Sequence, residues 1–146
     1  MLEKMIELTN EYIESMPKKE RKKYGQFFTS METARFMAAL YNIDDKKSRV
    51  SVLDAGAGSG ILSCAFIERL EMIDSIQEIE LTCYENDNNV LPLLKQNLEY
   101  CKEKSGKKID INIIEDNYIL SQYLDFNHMI GGNDDPKKYD FVIGNP

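Results

Sequence analysis

Apolar residues recur at helical spacing over residues 2–16, where Leu2, Met5, Ile6, Tyr12, Ile13 and Met16 share a face with Thr9. Pro17 closes that run. A second helix is predicted from about Met31 to Tyr41, opened by Thr29 with Glu32 three residues on, the spacing of a capping box. Val50-Ser51-Val52-Leu53-Asp54 then reads as a buried strand that ends in an acid. The helix after it, about Ser59 to Ile73, carries Ile61, Leu62, Ala65, Phe66 and Leu70, a broad apolar face suited to packing on a sheet. Residues 79–84 form a second predicted strand, and 89–104 a helix with Val90, Leu91, Leu94, Leu98 and Cys101 on one face. Pro92 is tolerable there because it falls in the first turn. Residues 109–114 alternate as a third strand and 139–143 form a fourth. The polar stretch 44–49 is a connector, and the Gly-Gly-Asn-Asp-Asp-Pro run at 131–136 reads as a surface loop.

Strand, glycine run and helix around Asp54 form the first half of a nucleotide-binding α/β unit. The glycine spacing separates the possible ligands. A dinucleotide fingerprint needs a glycine six places into the loop, and counting from Gly56 that place is Ile61. A phosphate-cradling loop ends in Gly-Lys-Ser/Thr, and no lysine lies near. What stands here is Asp-x-Gly-x-Gly-x-Gly, with Asp54, Gly56, Gly58 and Gly60. A bare βα turn without a ligand is the plainer account, but three glycines make a poor helix start unless something needs the space. Glu85 directly follows the second strand, where an acid grips ribose hydroxyls in doubly wound folds. Asp87 sits nearby and is assigned to capping the next helix. Asp116 follows the third strand, either as a helix cap or as an acceptor for an exocyclic amine. The loop Tyr24-Gly25-Gln26-Phe27-Phe28-Thr29 leads into a helix start, whose free N–H groups suit a carboxylate ligand.

Composition narrows the picture. A chain of 146 residues is enough for one domain with its own core. Lys+Arg 18 against Asp+Glu 25 leaves a formal charge of −7, unpromising for stand-alone nucleic-acid binding. The basic run Lys18, Lys19, Arg21, Lys22, Lys23 is a solvated linker or a strip that touches DNA phosphates. Cys64, Cys83 and Cys101 form no Cys-x-x-Cys, and His128 is the sole histidine, so no metal site is expected. Buried free thiols suit a reducing cytoplasm. No apolar run approaches a membrane span and no signal peptide opens the chain, so no membrane contact is expected.

Gly-Gln-Phe-Phe-Thr upstream of Asp-Ala-Gly-Ala-Gly-Ser-Gly resembles the DNA adenine-N6 methyltransferases with γ-type motif order, found in bacterial restriction–modification systems. The resemblance covers about Lys23 to Pro146. It implies a Rossmann-like S-adenosylmethionine-dependent methyltransferase core, an α/β fold with a partial sheet of strand order 3-2-1-4 and N-terminal helices. Residues 1–22 become an N-terminal helix and basic linker, and 23–146 the methyltransferase domain, truncated at its fourth strand. S-adenosyl-L-methionine is the implied cofactor. Gly25, Phe27, Phe28 and Thr29 are implied to close over it. Asp54, Ala55, Gly56, Gly58 and Gly60 are implied to form its loop. Glu85, with Asn86 beside it, would hold the ribose. Asp116 would reach the adenine amine, with Asn117 standing where the family has an aromatic and Tyr118 following.

The family continues its fourth strand into Asn-Pro-Pro-Tyr or Asn-Pro-Pro-Phe, of which Asn145 and Pro146 are present. These two are the implied catalytic residues, accepting hydrogen bonds from the target amine. The aromatic that stacks on the flipped base would follow Pro146. The implied partner is double-stranded DNA, held by regions mostly outside this chain, with a restriction or specificity subunit as a further partner. A piece of this length is expected to bind cofactor modestly and to transfer little methyl. Cytosine-C5 chemistry is disfavoured, because it needs a thiolate nucleophile and no Pro-Cys pair occurs. The rival readings are an Asn-Pro-Pro-Tyr enzyme acting on ribosomal RNA or protein glutamine, and a non-catalytic interaction module.

Overall fold

The computed structural model describes residues 1–19, 28–122 and 137–145. In chain order the elements are α1 (Leu2–Ser15), α2 (Met31–Ala39), β1 (Arg49–Asp54), α3 (Ile61–Glu71), β2 (Glu78–Tyr84), α4 (Leu91–Lys104), β3 (Lys108–Ile114) and β4 (Phe141–Ile143). Every strand pairs in parallel, and the sheet runs β3-β2-β1-β4, the order expected from the sequence. β4 is shorter than the pattern suggested. Its pairing still continues one residue earlier, because Asp140 N donates to Ser51 O at 3.0 Å.

Parallel strands have to be covered on both faces, and this chain covers them from within. α3 is buried at Ile61, Leu62, Ser63, Cys64, Ala65, Phe66, Ile67 and Leu70. That exceeds one amphipathic face, because α1 and α2 lie over its outer side. α1 seals the core with Leu2 and Met5, both fully buried. α2 adds Ala34 and Ala38, small enough for close helix approach. Between α2, α3 and β4, the rings of Tyr41, Phe66 and Phe141 pack edge-on or tilted, with centroids 5.1 to 6.0 Å apart. Tyr41 also donates its hydroxyl to the Val142 carbonyl at 2.7 Å, which pins α2 to β4.

The expected cap of the second helix is corrected by one residue. Ser30, not Thr29, takes the extended N-cap conformation, and its Oγ accepts from Thr33 N at 3.2 Å. Thr29 is engaged elsewhere, as described below. The helical turn after Asp116 shows the same displacement: Asn117 Oδ1 accepts from Leu120 N at 3.1 Å and so serves as cap, while Asp116 Oδ1 accepts from Asn117 N at 2.7 Å. At α4 the N-cap is Val90, and Asp87 braces the preceding turn by accepting from Asn89 N at 2.9 Å. Pro92 does fall in the first turn of α4. Residues 20–27, 123–136 and 146 lie outside the described set. They include most of the basic run, the glycine-rich loop, His128, Gly25, Phe27 and Pro146.

The fold closes tightly on Gly60. This residue enters α3 at φ +80, and a Cβ there would lie 3.0 Å from Leu94 Cδ1 and 3.3 Å from Leu98 Cδ2. Gly60→Ala is expected to destabilise the protein by about 2 kcal/mol, from left-handed strain and overpacking together. Thermal or urea unfolding measures it, and a loss below about 0.5 kcal/mol would contradict this reading.

Candidate active site

The site lies at the carboxyl ends of the strands, where parallel α/β sheets bind ligands. β1 delivers Asp54, 1% exposed, into this end of the sheet. Its Oδ2 accepts from the Ser63 hydroxyl at 2.7 Å, and its Oδ1 has no partner among the described residues. Burial pushes its carboxyl up to about 6 and the charge of Glu85 adds to that, while the Ser63 hydroxyl and the nearby Gly56 amide oppose it. Burial, with the Asp54 charge, also raises the neighbouring Cys83 thiol, so that sulfur stays protonated.

Beyond Asp54 the loop is held by its backbone. Ala55 N reaches the Ile143 carbonyl at 3.3 Å, Ala57 N the Tyr84 carbonyl at 2.9 Å, and Gly60 N the Ala57 carbonyl at 2.8 Å. The loop is thereby tied to β4 on one side and β2 on the other. The glycines then divide the work. Gly60 serves packing. Gly58 turns at φ +54 beneath the Phe28 ring, whose Cε1 would lie 3.9 Å from a Cβ there. At Gly56 a Cβ would meet nothing within 4 Å, so its missing side chain leaves open space.

Glu85 turns back onto the loop. Its Oε2 accepts from Gly58 N at 2.9 Å and its Oε1 from Asp87 N at 2.7 Å. Each carboxylate oxygen retains further lone-pair capacity. Phe28 and Glu85 therefore converge on Gly58 from separate segments of the chain. Asp116, Asn117 and Tyr118 stand at the end of β3, where the Tyr118 ring packs edge-on against Tyr84 with centroids 5.1 Å apart. Burial and the neighbouring Tyr84 and Tyr139 raise the Tyr118 phenol.

Asn145 follows β4, and its Nδ2 donates to Thr29 Oγ1 at 2.9 Å. This bond joins positions 116 residues apart in sequence. It also explains why Thr29 does not cap α2. A crevice of about 40 Å³ is lined by Phe28, Thr29, Gly56, Gly58 and Asn145, together with Ala57, Ser59, Ile61 and Leu62. That is room for a water molecule or two, so it marks one end of a ligand site and does not enclose one.

Three contributors escaped the sequence reading. Ser63 satisfies half of the Asp54 carboxylate from the first turn of α3. Asn97 and Thr9 meet behind the loop, on helices whose apolar periodicity drew attention away from their polar members. Nothing in residue spacing distinguishes such a serine or asparagine from a solvent-facing one.

The buried half-satisfied acid and the side-chain-free space at Gly56 suit a cationic nucleoside better than a phosphate. With the parallel sheet and the placement of Glu85, they define a Rossmann-like methyltransferase core whose cofactor is S-adenosyl-L-methionine. A provisionally assigned O-methyltransferase from Klebsiella pneumoniae superposes with a TM-score of 0.53 at 14% identity, over 97% of this chain and 50% of that one, which supports the fold. The sequence profile of the N-6 DNA methylase family matches residues 7–146, and the chain belongs to that family. It is 38% identical over 101 residues to the type II methyltransferase M.BsuBI of Bacillus subtilis, covering 69% of this chain and 19% of that protein. It is 32% identical over 130 residues to the type II methyltransferase M.PstI of Providencia stuartii, covering 86% and 24%. The chain thus spans about a fifth to a quarter of the length of these relatives. Among the described residues no helix is long and apolar enough to cross a membrane.

Proposed function

We propose that this chain carries the cofactor-binding and amine-orienting half of a methyltransferase that modifies N6 of adenine in double-stranded DNA, within a restriction–modification system of the cytoplasm. The observation that carries this reading is the shared crevice: the glycine loop and Asn145 line one space, with Thr29 bonded to Asn145 across it. The family match supports the adenine target.

The roles follow from the donor and acceptor inventory. Asp54 supplies a buried negative charge behind the loop. Gly56, Ala55 and Gly58 offer backbone that a ligand can approach closely, with Gly60 locking the loop to α4. Phe28 and Thr29 cover it, as would Gly25 and Phe27 from outside the described residues. Glu85, with Asn86 beside it, offers acceptor oxygens to vicinal hydroxyls. Asp116, Asn117 and Tyr118 take the adenine end. When bound, S-adenosyl-L-methionine supplies an electrophilic methyl on a sulfonium.

The exocyclic amine of adenine is a weak nucleophile, because its lone pair is delocalised into the ring. Asn145 directs its Nδ2 to Thr29, which leaves Oδ1 as the acceptor end of the amide. An acceptor there draws an N–H of the amine into line and frees the lone pair for attack. The carbonyl of Pro146 would be the second acceptor. The base has to leave the duplex to reach this place. Duplex contacts and any restriction or specificity subunit are assigned to regions mostly outside this chain. Residues 23–146 form the methyltransferase domain in this reading, with 1–22 as the helix and linker before it.

The test has two arms. Calorimetry on this chain is expected to detect S-adenosylmethionine and not NAD. Mass analysis of DNA, RNA and protein from cells expressing the full-length protein is expected to find N6-methyladenine in DNA. NAD binding without S-adenosylmethionine binding would refute the cofactor, and methyl on ribosomal RNA or glutamine alone would refute the substrate.

A further inference from the structure

Asn97 lies on α4 with its side chain fully buried, flanked along the helix by Leu94 and Leu98. Its Nδ2 donates to the Ser59 carbonyl at 2.9 Å and to the Thr9 hydroxyl at 3.3 Å. Its Oδ1 has no partner among the described residues. A buried amide oxygen without a donor carries its full desolvation cost. Such a group in a core calls for an explanation, and the explanation lies in what its donor end holds.

That end holds the last peptide of the glycine loop. Ser59 is 2% exposed, and its carbonyl points into the core instead of along a strand. One residue on, Gly60 rests on Leu94 and Leu98. α4 therefore grips the loop at adjoining points: leucines under Gly60, and an amide on Ser59. A carbonyl only accepts, so Ser59 selects the NH2 end of Asn97, and the Thr9 hydroxyl oxygen accepts from the same nitrogen. α1 is thereby linked to the loop through a buried polar bridge.

We propose that Asn97, steadied by Thr9, is a positioning residue of the cofactor loop. It fixes the Ser59 peptide so that Gly56 to Gly58 keep their open path and Gly58 N stays on Glu85. The proposal rests on the reading that this loop binds S-adenosylmethionine.

The test compares Asn97→Leu, Thr9→Val and Thr9→Ser with the wild type in this chain. Three quantities are measured: amide hydrogen exchange at Gly58 and Gly60, S-adenosylmethionine affinity by calorimetry, and melting temperature. Asn97→Leu removes one unpaired oxygen, its own Oδ1, but leaves the Ser59 carbonyl and the Thr9 hydroxyl without the N–H groups they accept from, so a modest fall in melting temperature is expected. Its loop amides are expected to exchange faster and its affinity to fall about fivefold to tenfold, the equivalent of one hydrogen bond. Thr9→Val keeps the shape and is expected to weaken binding about twofold to threefold. Thr9→Ser keeps the hydroxyl and loses a buried methyl, so affinity is expected to stay while the melting temperature falls. A merely structural bridge predicts the opposite, with affinity following melting temperature across all variants, and that result overturns the proposal. Loop exchange unchanged in both Asn97→Leu and Thr9→Val overturns it as well. A wild type that binds no S-adenosylmethionine refutes the cofactor reading alone, and loop exchange then decides on Asn97.

Discussion

Gly56→Val is expected to weaken S-adenosylmethionine binding at least about a hundredfold, or about 2.7 kcal/mol, with the melting temperature close to that of the wild type. The two outcomes separate because of where Gly56 sits. Its backbone is not in the left-handed region, unlike Gly58 and Gly60, so a side chain there introduces no conformational strain. A Cβ meets nothing within 4 Å, so a side chain at this position starts into open space. The space it fills is the space the ligand is proposed to use. Gly60→Ala is the built-in contrast, since there stability is lost by contact with Leu94. Calorimetry and thermal unfolding of both variants make the comparison. Affinity in Gly56→Val within about threefold of wild type would falsify the placement of the ligand at this loop.

The second large effect is set by pH. Asp54 titrates near 6 in the folded protein because burial disfavours its charge, against an ordinary value of 3.8. Its folded value is raised, so the native state holds the proton more tightly than the unfolded chain. The resulting stabilisation is full below about 3.8 and is lost as pH rises through about 6. Across that span, at about 1.4 kcal/mol per pH unit, the difference approaches about 3 kcal/mol. Asp54→Asn keeps the shape and cannot ionise. The stability of wild type relative to this variant is therefore expected to climb as pH falls from about 7 to about 4.5. Cofactor affinity is expected to move the other way. It should fall up to about tenfold by about pH 5, as the buried charge behind the loop is neutralised. Urea unfolding and calorimetry over the same pH series measure both. A wild-type-minus-variant difference that stays flat would show that Asp54 titrates normally.

The two experiments question different parts of one arrangement. Gly56 asks whether the loop is vacant for a ligand, and Asp54 asks whether the floor behind it carries charge. The Asn97 comparison asks what keeps the loop in place. Agreement among them would mean that recognition rests on a rigid backbone held from behind, and that Phe28 and Glu85 complete a shape already set by the core.

Much of this was written along the chain. Alternating and continuous apolar runs place all of the strands, because side-chain direction in a strand depends only on neighbouring residues. Asp-x-Gly-x-Gly-x-Gly locates the loop, because close backbone approach and positive φ are demands that glycine alone meets cheaply. Glu85 follows from its place at a strand end. These are local rules, and local sequence obeys them.

What lay beyond such rules arises from contacts between distant segments. Thr29 carries a sound capping pattern, yet its hydroxyl goes to Asn145, and Ser30 caps the helix instead. The choice between adjacent hydroxyls depends on a strand more than a hundred residues away. α3 reads as one-sided and is buried nearly all round, because α1 and α2 return to cover it. Asn97 carries no signal in its spacing, yet in the fold it is the amide that holds Ser59. Helix, strand and glycine turn follow from backbone sterics and side-chain period, which act over a few residues. Which polar group meets which follows from packing, where each buried donor must find its acceptor wherever the folded chain happens to bring one.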